Sequence, residues 1–145
     1  MTVRLANVGD TERVVALCEE AFPASPFAPY TKFSPEMARN QFLNRLGSRS
    51  SLCLVYEVAG EAQGIFVGAA VDYPNAPLRI GIEIVKWISP AHRGPAWPKM
   101  VNWFEAWAIG NGCTLTNISD DGSLTKWCDR NGYQFAESNR VKPLY

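Results

Sequence analysis

The sequence predicts an α/β (α+β) fold, a mixed central sheet flanked by helices in the order β-α-α-β-β-β-α-β-α-β. Three observations carry this. Apolar, β-branched runs at Leu52–Val58 and Gly64–Val71 flank the short turn Ala59-Gly60-Glu61-Ala62, the pattern of an antiparallel hairpin. A third run, Arg79–Ile88, passes through the basic loop Arg93-Gly94-Pro95-Ala96 into an amphipathic segment of helical period. Helical patterns separate the remaining short strands, so the second half needs a crossover while the first is mostly antiparallel.

The elements follow in order. Thr2–Leu5 alternates as a short strand. Asp10 or Thr11 caps a helix through Ala21, with Val14, Val15, Leu17, Cys18 and Ala21 on its apolar side. Pro23, Pro26 and Pro29 forbid a helix over Phe22–Phe33. Ser34-Pro35-Glu36 then supplies an N-cap, a proline at the first helical position and an acid in the first turn of a helix running to about Leu46. After the hairpin, Tyr73–Pro77 is a loop before the strand Arg79–Ile88. The next helix spans Pro98 to Ile109, with Met100, Phe104, Trp107 and Ala108 on one face, and stops at Gly110-Asn111-Gly112. Thr114–Ile118 reads as a fifth strand, Gly122–Arg130 as a short helix, and Tyr133–Ala136 as the start of a last strand or hairpin.

Composition narrows the classes. A chain of 145 residues reads as a single domain, 1–145, and buries roughly 70% of its unfolded surface. Lys+Arg and Asp+Glu are 14 each, without the basic excess of a nucleic-acid binder. No apolar run is long enough for a membrane span, and the N-terminus lacks the apolar core of a secretory signal. Cys18, Cys53, Cys113 and Cys128 are widely spaced and His92 is the only histidine, so no metal site is expected. Reduced thiols in a cytoplasmic protein are the reading this supports.

A strand that feeds a Gly-containing loop at a helix N-terminus is an anion site, because unpaired N–H groups and the helix dipole both favour negative charge. The stretch Ile88-Ser89-Pro90-Ala91-His92-Arg93-Gly94 resembles the acetyl-CoA loop of the GCN5-related N-acetyltransferase (GNAT) superfamily. Three further pieces resemble it: the hairpin Val55–Gly64, the helix Phe104–Ala108 with its exit Gly112-Cys113, and Leu124–Tyr133. The combination of Glu83, Trp87, Arg93-Gly94 and Phe104-Glu105-x-Trp107 is also similar to small GNAT-like proteins of phage genomes. The resemblance covers most of the chain after residue 50. It implies a GNAT-like sheet, acetyl-CoA as co-substrate and a small-molecule or protein amine as acceptor. It also departs in two places. Where the family loop has further glycines this chain has Ala96 and Pro98, and neither Pro95 nor Pro98 can donate a hydrogen bond. Where many members carry a tyrosine that protonates the leaving thiolate, the residue here is Cys128.

Candidate roles follow from the resemblance. Pyrophosphate would be held by Arg93, Gly94, Ala96, Trp97 and Lys99, and the pantetheine arm would pair with Ile88 and Ser89 as an added strand. Glu83, among apolar strand neighbours, is the candidate base. Its alternative is a solvated strand face and a pairing with Lys86 or Arg79. Cys128 is the candidate acid for the thiolate. Arg93-Gly94 as an ordinary basic turn, and Trp87, Trp103 and Trp107 as core, are the plainer readings of those residues. The segment Phe22–Phe33 is either a wall of the acceptor pocket or a packed connector. A homodimer would use an exposed sheet edge near the C-terminus or the tryptophan-rich surface. The competing functions are a GNAT-fold module that binds CoA or a protein without turnover, and a nucleotide-phosphate domain, which lacks GxxxxGK[ST] and GxGxxG.

Overall fold

The computed structural model describes residues 2–144. In chain order the elements are β1 (Thr2–Leu5), α1 (Thr11–Ala21), α2 (Pro35–Leu46), β2 (Ser51–Val58), β3 (Glu61–Asp72), β4 (Arg79–Ile88), α3 (Ala96–Gly110), β5 (Leu115–Asn117) and α4 (Thr125–Arg130). The strands form one sheet in sequence order, antiparallel except for the parallel pair β4–β5. This is the mixed sheet flanked by helices that the patterning predicts.

Four boundaries differ for physical reasons. The hairpin turn is Ala59-Gly60 alone, both with positive φ (51° and 81°), a geometry whose twist matches the flanking strands. Helix α3 starts at Ala96, so Pro98 is its third residue instead of its first; the missing N–H is harmless there because the first turn has no intrahelical acceptor. Helix α4 starts at Thr125, because Asp120 takes the N–H groups of Gly122 and Leu124 and holds that stretch as a turn. The expected strand at Tyr133–Ala136 is absent, since Phe135 is 84% exposed and a strand that buries no apolar face gains little.

Two apolar layers sandwich the sheet. Leu17 of α1 and Phe42 of α2 cover Cys53, Val55, Ile65 and Val67 on one face. Met100 and Phe104 of α3 cover Leu52, Leu54, Phe66 and Ile88 on the other. Gly68 is needed here: a Cβ on it would sit 2.7 Å from the Phe104 ring.

The register of β4 creates the site. Val67 pairs with Val85 and Gly68 with Glu83, which leaves Ile84 as an extra residue, a bulge. Bulges bend the strand and add twist. On the other edge, β5 pairs only with Ile80–Ile82. From Glu83 to Ile88 that edge of β4 has no strand beside it among the described residues.

Candidate active site

The open edge of β4 ends at the loop before α3. Ser89 N–H donates to Gln63 O on β3 at 2.9 Å. Successive residues of a strand direct their backbone groups to opposite edges, so Ile88 N–H and C=O face the gap. The Ile88 carbonyl accepts from Arg93 Nε at 2.8 Å, and the Arg93 guanidinium lies 4.5 Å from the centre of the Trp87 ring. The Ser89 hydroxyl donates to Glu20 of α1 at 2.8 Å.

Beyond Ser89 come a turn, Pro90–His92, and then Gly94 at φ 119°. Among the described residues no acceptor takes the N–H groups of Arg93, Gly94, Ala96 or Trp97. Pro95 caps α3 and Pro98 is its third residue, so only Ala96 and Trp97 supply N–H groups from the first turn; Lys99 is the first that finds an intrahelical acceptor. The loop therefore presents a run of amide donors on the positive end of a 15-residue helix.

Glu83 sits at the opposite end of the gap and is engaged on both oxygens. It accepts from the Ser119 N–H at 3.1 Å and from the Ser119 hydroxyl, while Lys86 Nζ lies 3.0 Å away and donates to the Ser119 carbonyl. The Glu83 and Lys86 side chains are only 10% and 9% exposed. Of the alternative to a base at Glu83, the pairing with Lys86 is present and the solvated strand face is not.

A cleft of about 870 Å³ opens beside these residues, between β4 and the segment joining α1 to α2. Phe22 and Phe33, packed 5.7 Å apart, line it, as do Ile84, Trp87, Ser119 and Asp121. The bulge explains how consecutive Ile84 and Val85 both reach this side. The proline-aromatic segment is thus a cleft wall.

Cys128 is buried in α4 outside the cleft lining; burial pushes its thiol up, Asp120 adds to this and Lys86 opposes it. Tyr133 shares a 2.8 Å hydrogen bond with Thr116 and donates to Glu105 at 3.1 Å. Trp87 and Trp107 are half-buried, whereas Trp103 is 39% exposed. All four cysteines are free. No group of potential metal ligands occurs among the described residues, and no described helix is long and apolar enough to cross a membrane.

The structure thus gathers Ile88, Ser89, Arg93, Gly94, Ala96, Trp97 and Lys99 at the end of β4 and the start of α3, with Glu83 further along β4, whereas Cys128 is buried in α4 and not brought into the cleft. Ser119, Lys86 and Glu20 also belong to this assembly. The signal for Ser119 lay in the Asp-Asp-Gly turn after β5, but only the parallel register brings it to Glu83.

No family model matches the sequence, and no curated protein matches it. Solved structures match in shape. A predicted acetyltransferase with acetyl-CoA from Clostridium acetobutylicum superposes with a TM-score of 0.80 at 15% identity, over 98% of this chain and 95% of that one. AAC(6')-Iy in complex with the bisubstrate analogue CoA-S-monomethyl-acetylneamine gives 0.75 at 15% identity, over 99% and 97%. The ribosomal-protein-alanine N-acetyltransferase from Brucella melitensis biovar Abortus 2308 gives 0.69 at 16% identity, over 99% and 100%. At such identities the likeness is one of architecture. The chain has the fold of the GCN5-related N-acetyltransferases.

Proposed function

We propose that residues 1–145 act as one acetyl-CoA-dependent N-acetyltransferase domain that acetylates a primary amine of a small molecule or protein. The observation that carries this is the run of unaccepted N–H groups at Arg93, Gly94, Ala96 and Trp97, set at the mouth of a gap that begins where β5 leaves β4. Those donors fit a pyrophosphate, and the open edge of β4 fits an extended pantetheine arm through Ile88, whereas Ser89, whose N–H goes to Gln63 and whose carbonyl accepts from His92, holds the strand end instead of pairing with the arm. Lys99 adds positive charge to the same turn. Bound there, acetyl-CoA supplies an activated acetyl group and a thiol leaving group.

The chain's residues then have these parts. The Lys86 ammonium, 3.0 Å from Glu83, marks a place that accommodates a primary ammonium, and the acceptor amine takes a similar place beside that carboxylate. Glu83 receives the proton that makes the amine nucleophilic. Ile88 N–H donates to the carbonyl oxygen as negative charge develops on it. Cys128, whose thiol is kept protonated by burial, supplies a proton to the thiolate. The free thiols support a cytoplasmic setting. A second copy would pair along β5, a three-residue edge strand with Leu115 54% exposed.

Calorimetric titration of acetyl-CoA, with ATP as control, tests the reading. Micromolar, CoA-selective binding followed by thiol release on adding an amine is the expected result. Absence of binding at millimolar acetyl-CoA would overturn it. One observation favours a second reading, a module that binds CoA or a protein without turnover: Pro95 and Pro98 remove two of the N–H groups that α3 would otherwise offer. CoA binding with no thiol release for any amine would select it.

A further inference from the structure

The cleft beside the gap has a division of character that bears on its ligand. Its α1–α2 side sets Phe22, Phe33 and Met37 among the polar Ser25, Thr31, Ser34 and Gln41, and Trp87 and Ile84 face them from β4. Met37 is 68% exposed and Ile84 39% exposed, large apolar side chains left at the rim. Negative charge gathers at the β5 end, where Asp120 and Asp121 join Glu83. Glu83 is already compensated by Lys86, whereas neither aspartate lies in an ion pair among the described residues. Hydrogen bonds, from Thr125 to Asp120 and from Ser123 to Asp121, hold each below the usual carboxylate range, and the Lys86 charge adds to this at Asp121. Lys32 and Arg45 also line the cleft.

We propose that this cleft takes amphipathic primary amines, one ammonium carried on an aliphatic or aromatic body, in preference to polyhydroxylated polyamines. This rests on the reading of the β4–β5 gap as the site of acetyl transfer. A single ammonium gains from the two aspartates, neither of them in an ion pair among the described residues, and an apolar body loses water against Phe22, Phe33 and Met37. Hydroxyl groups set against those rings would give up water there, with partners only at the polar side chains around them. Additional ammonium groups would meet Lys32 and Arg45.

The test measures acetyl-CoA-dependent thiol release with 2-phenylethylamine, hexylamine, ethanolamine and neamine, alongside calorimetric titration of each amine into the protein. Phenylethylamine and hexylamine should exceed ethanolamine and neamine by at least about tenfold in kcat/KM, the scale of a few buried methylenes. Met37→Ser, at an exposed position, should cut that preference about threefold. Asp121→Asn should weaken phenylethylamine binding, with the loss shrinking at high salt. Equal rates for all four amines, or a preference for neamine, would overturn the proposal. If no amine is acetylated yet phenylethylamine still binds selectively and Met37→Ser weakens it, the transfer reading fails and the assignment of the cleft stands. Absence of selective binding overturns the assignment whether or not acetyl-CoA binds.

Discussion

Arg93 folds back onto Trp87, its guanidinium 4.5 Å from the ring centre and its Nε 2.8 Å from the Ile88 carbonyl. The charge of this side chain is therefore directed at the end of β4, while its backbone N–H stays with the free donors of the loop. In this position Arg93 ties the first residue of the phosphate loop to the strand that feeds it.

Arg93→Ala and Arg93→Lys should consequently weaken acetyl-CoA binding alike, by about tenfold, because lysine keeps the charge but loses the planar fork that stacks and donates together. Calorimetry at two salt concentrations checks this. The salt dependence of Kd should match that of the unaltered protein, since no side chain facing phosphate has been removed. Full rescue by lysine would assign the effect to charge alone.

Glu83→Gln separates proton acceptance from support. The amide keeps one oxygen for the Ser119 N–H and can donate its NH2 to the Ser119 hydroxyl, but it leaves Lys86 without its charge partner, so the midpoint of thermal unfolding should fall by several degrees, about 1–3 kcal/mol. The rate of thiol release with an amine should fall about 100-fold or more, with acetyl-CoA affinity unchanged. Unaltered turnover would leave Glu83 as a strut between β4 and β5.

Much of this arrangement was legible in the chain. Ser34-Pro35 marks the start of α2, and Ser34 Oγ does accept the Met37 N–H. The β-branched run and the loop after it give β4 and the anion site at its end. What local pattern could not give is tertiary. The bulge at Ile84 leaves no trace in an otherwise apolar strand, because it arises from pairing with β3. Ser119 is 36 residues from Glu83 and meets it only through the parallel register. Helix α3 starts two residues before the position its local pattern favours, because Pro98 suits the first helical position, yet Pro95 can cap the helix and leave Pro98 as its third residue. The tail beyond Tyr133 alternates weakly and finds no face to bury.

Pro98→Ala tests whether the anion site is short of donors. Alanine restores an N–H in the first turn of α3, beside those of Ala96 and Trp97, without altering charge. Acetyl-CoA should bind about three- to tenfold more tightly, the scale of one added hydrogen bond. Unchanged affinity would mean that the phosphate contacts end before the third residue of the helix.

Gly68→Ala should destabilise the fold, because its Cβ would come 2.7 Å from the ring of the fully buried Phe104. Overpacking of this kind costs about 1–3 kcal/mol, read as a lower midpoint in urea. Combining it with Phe104→Leu should recover part of the loss relative to the sum of the two single changes.

Tyr133 gives the fold an alkaline limit. Its hydroxyl lies between Thr116 and Glu105, and burial pushes the phenol up to about 12, the Thr116 hydrogen bond opposing this and Glu105 adding to it. The unfolded chain ionises near the ordinary value of about 10. Between those values the folded state holds a proton that the unfolded state has lost. Tyr133 therefore has no effect on the slope of stability below pH ~10 and lowers stability as pH rises from there toward 12. Tyr133→Phe removes that slope and, at neutral pH, costs about 1 kcal/mol in lost hydrogen bonding. Urea midpoints for both proteins from about pH 8 to pH 11.5 measure the difference, with the other tyrosines and the lysines common to both. The curves should converge above pH ~10; parallel curves would show that the Tyr133 phenol ionises as freely in the folded protein as in the unfolded chain.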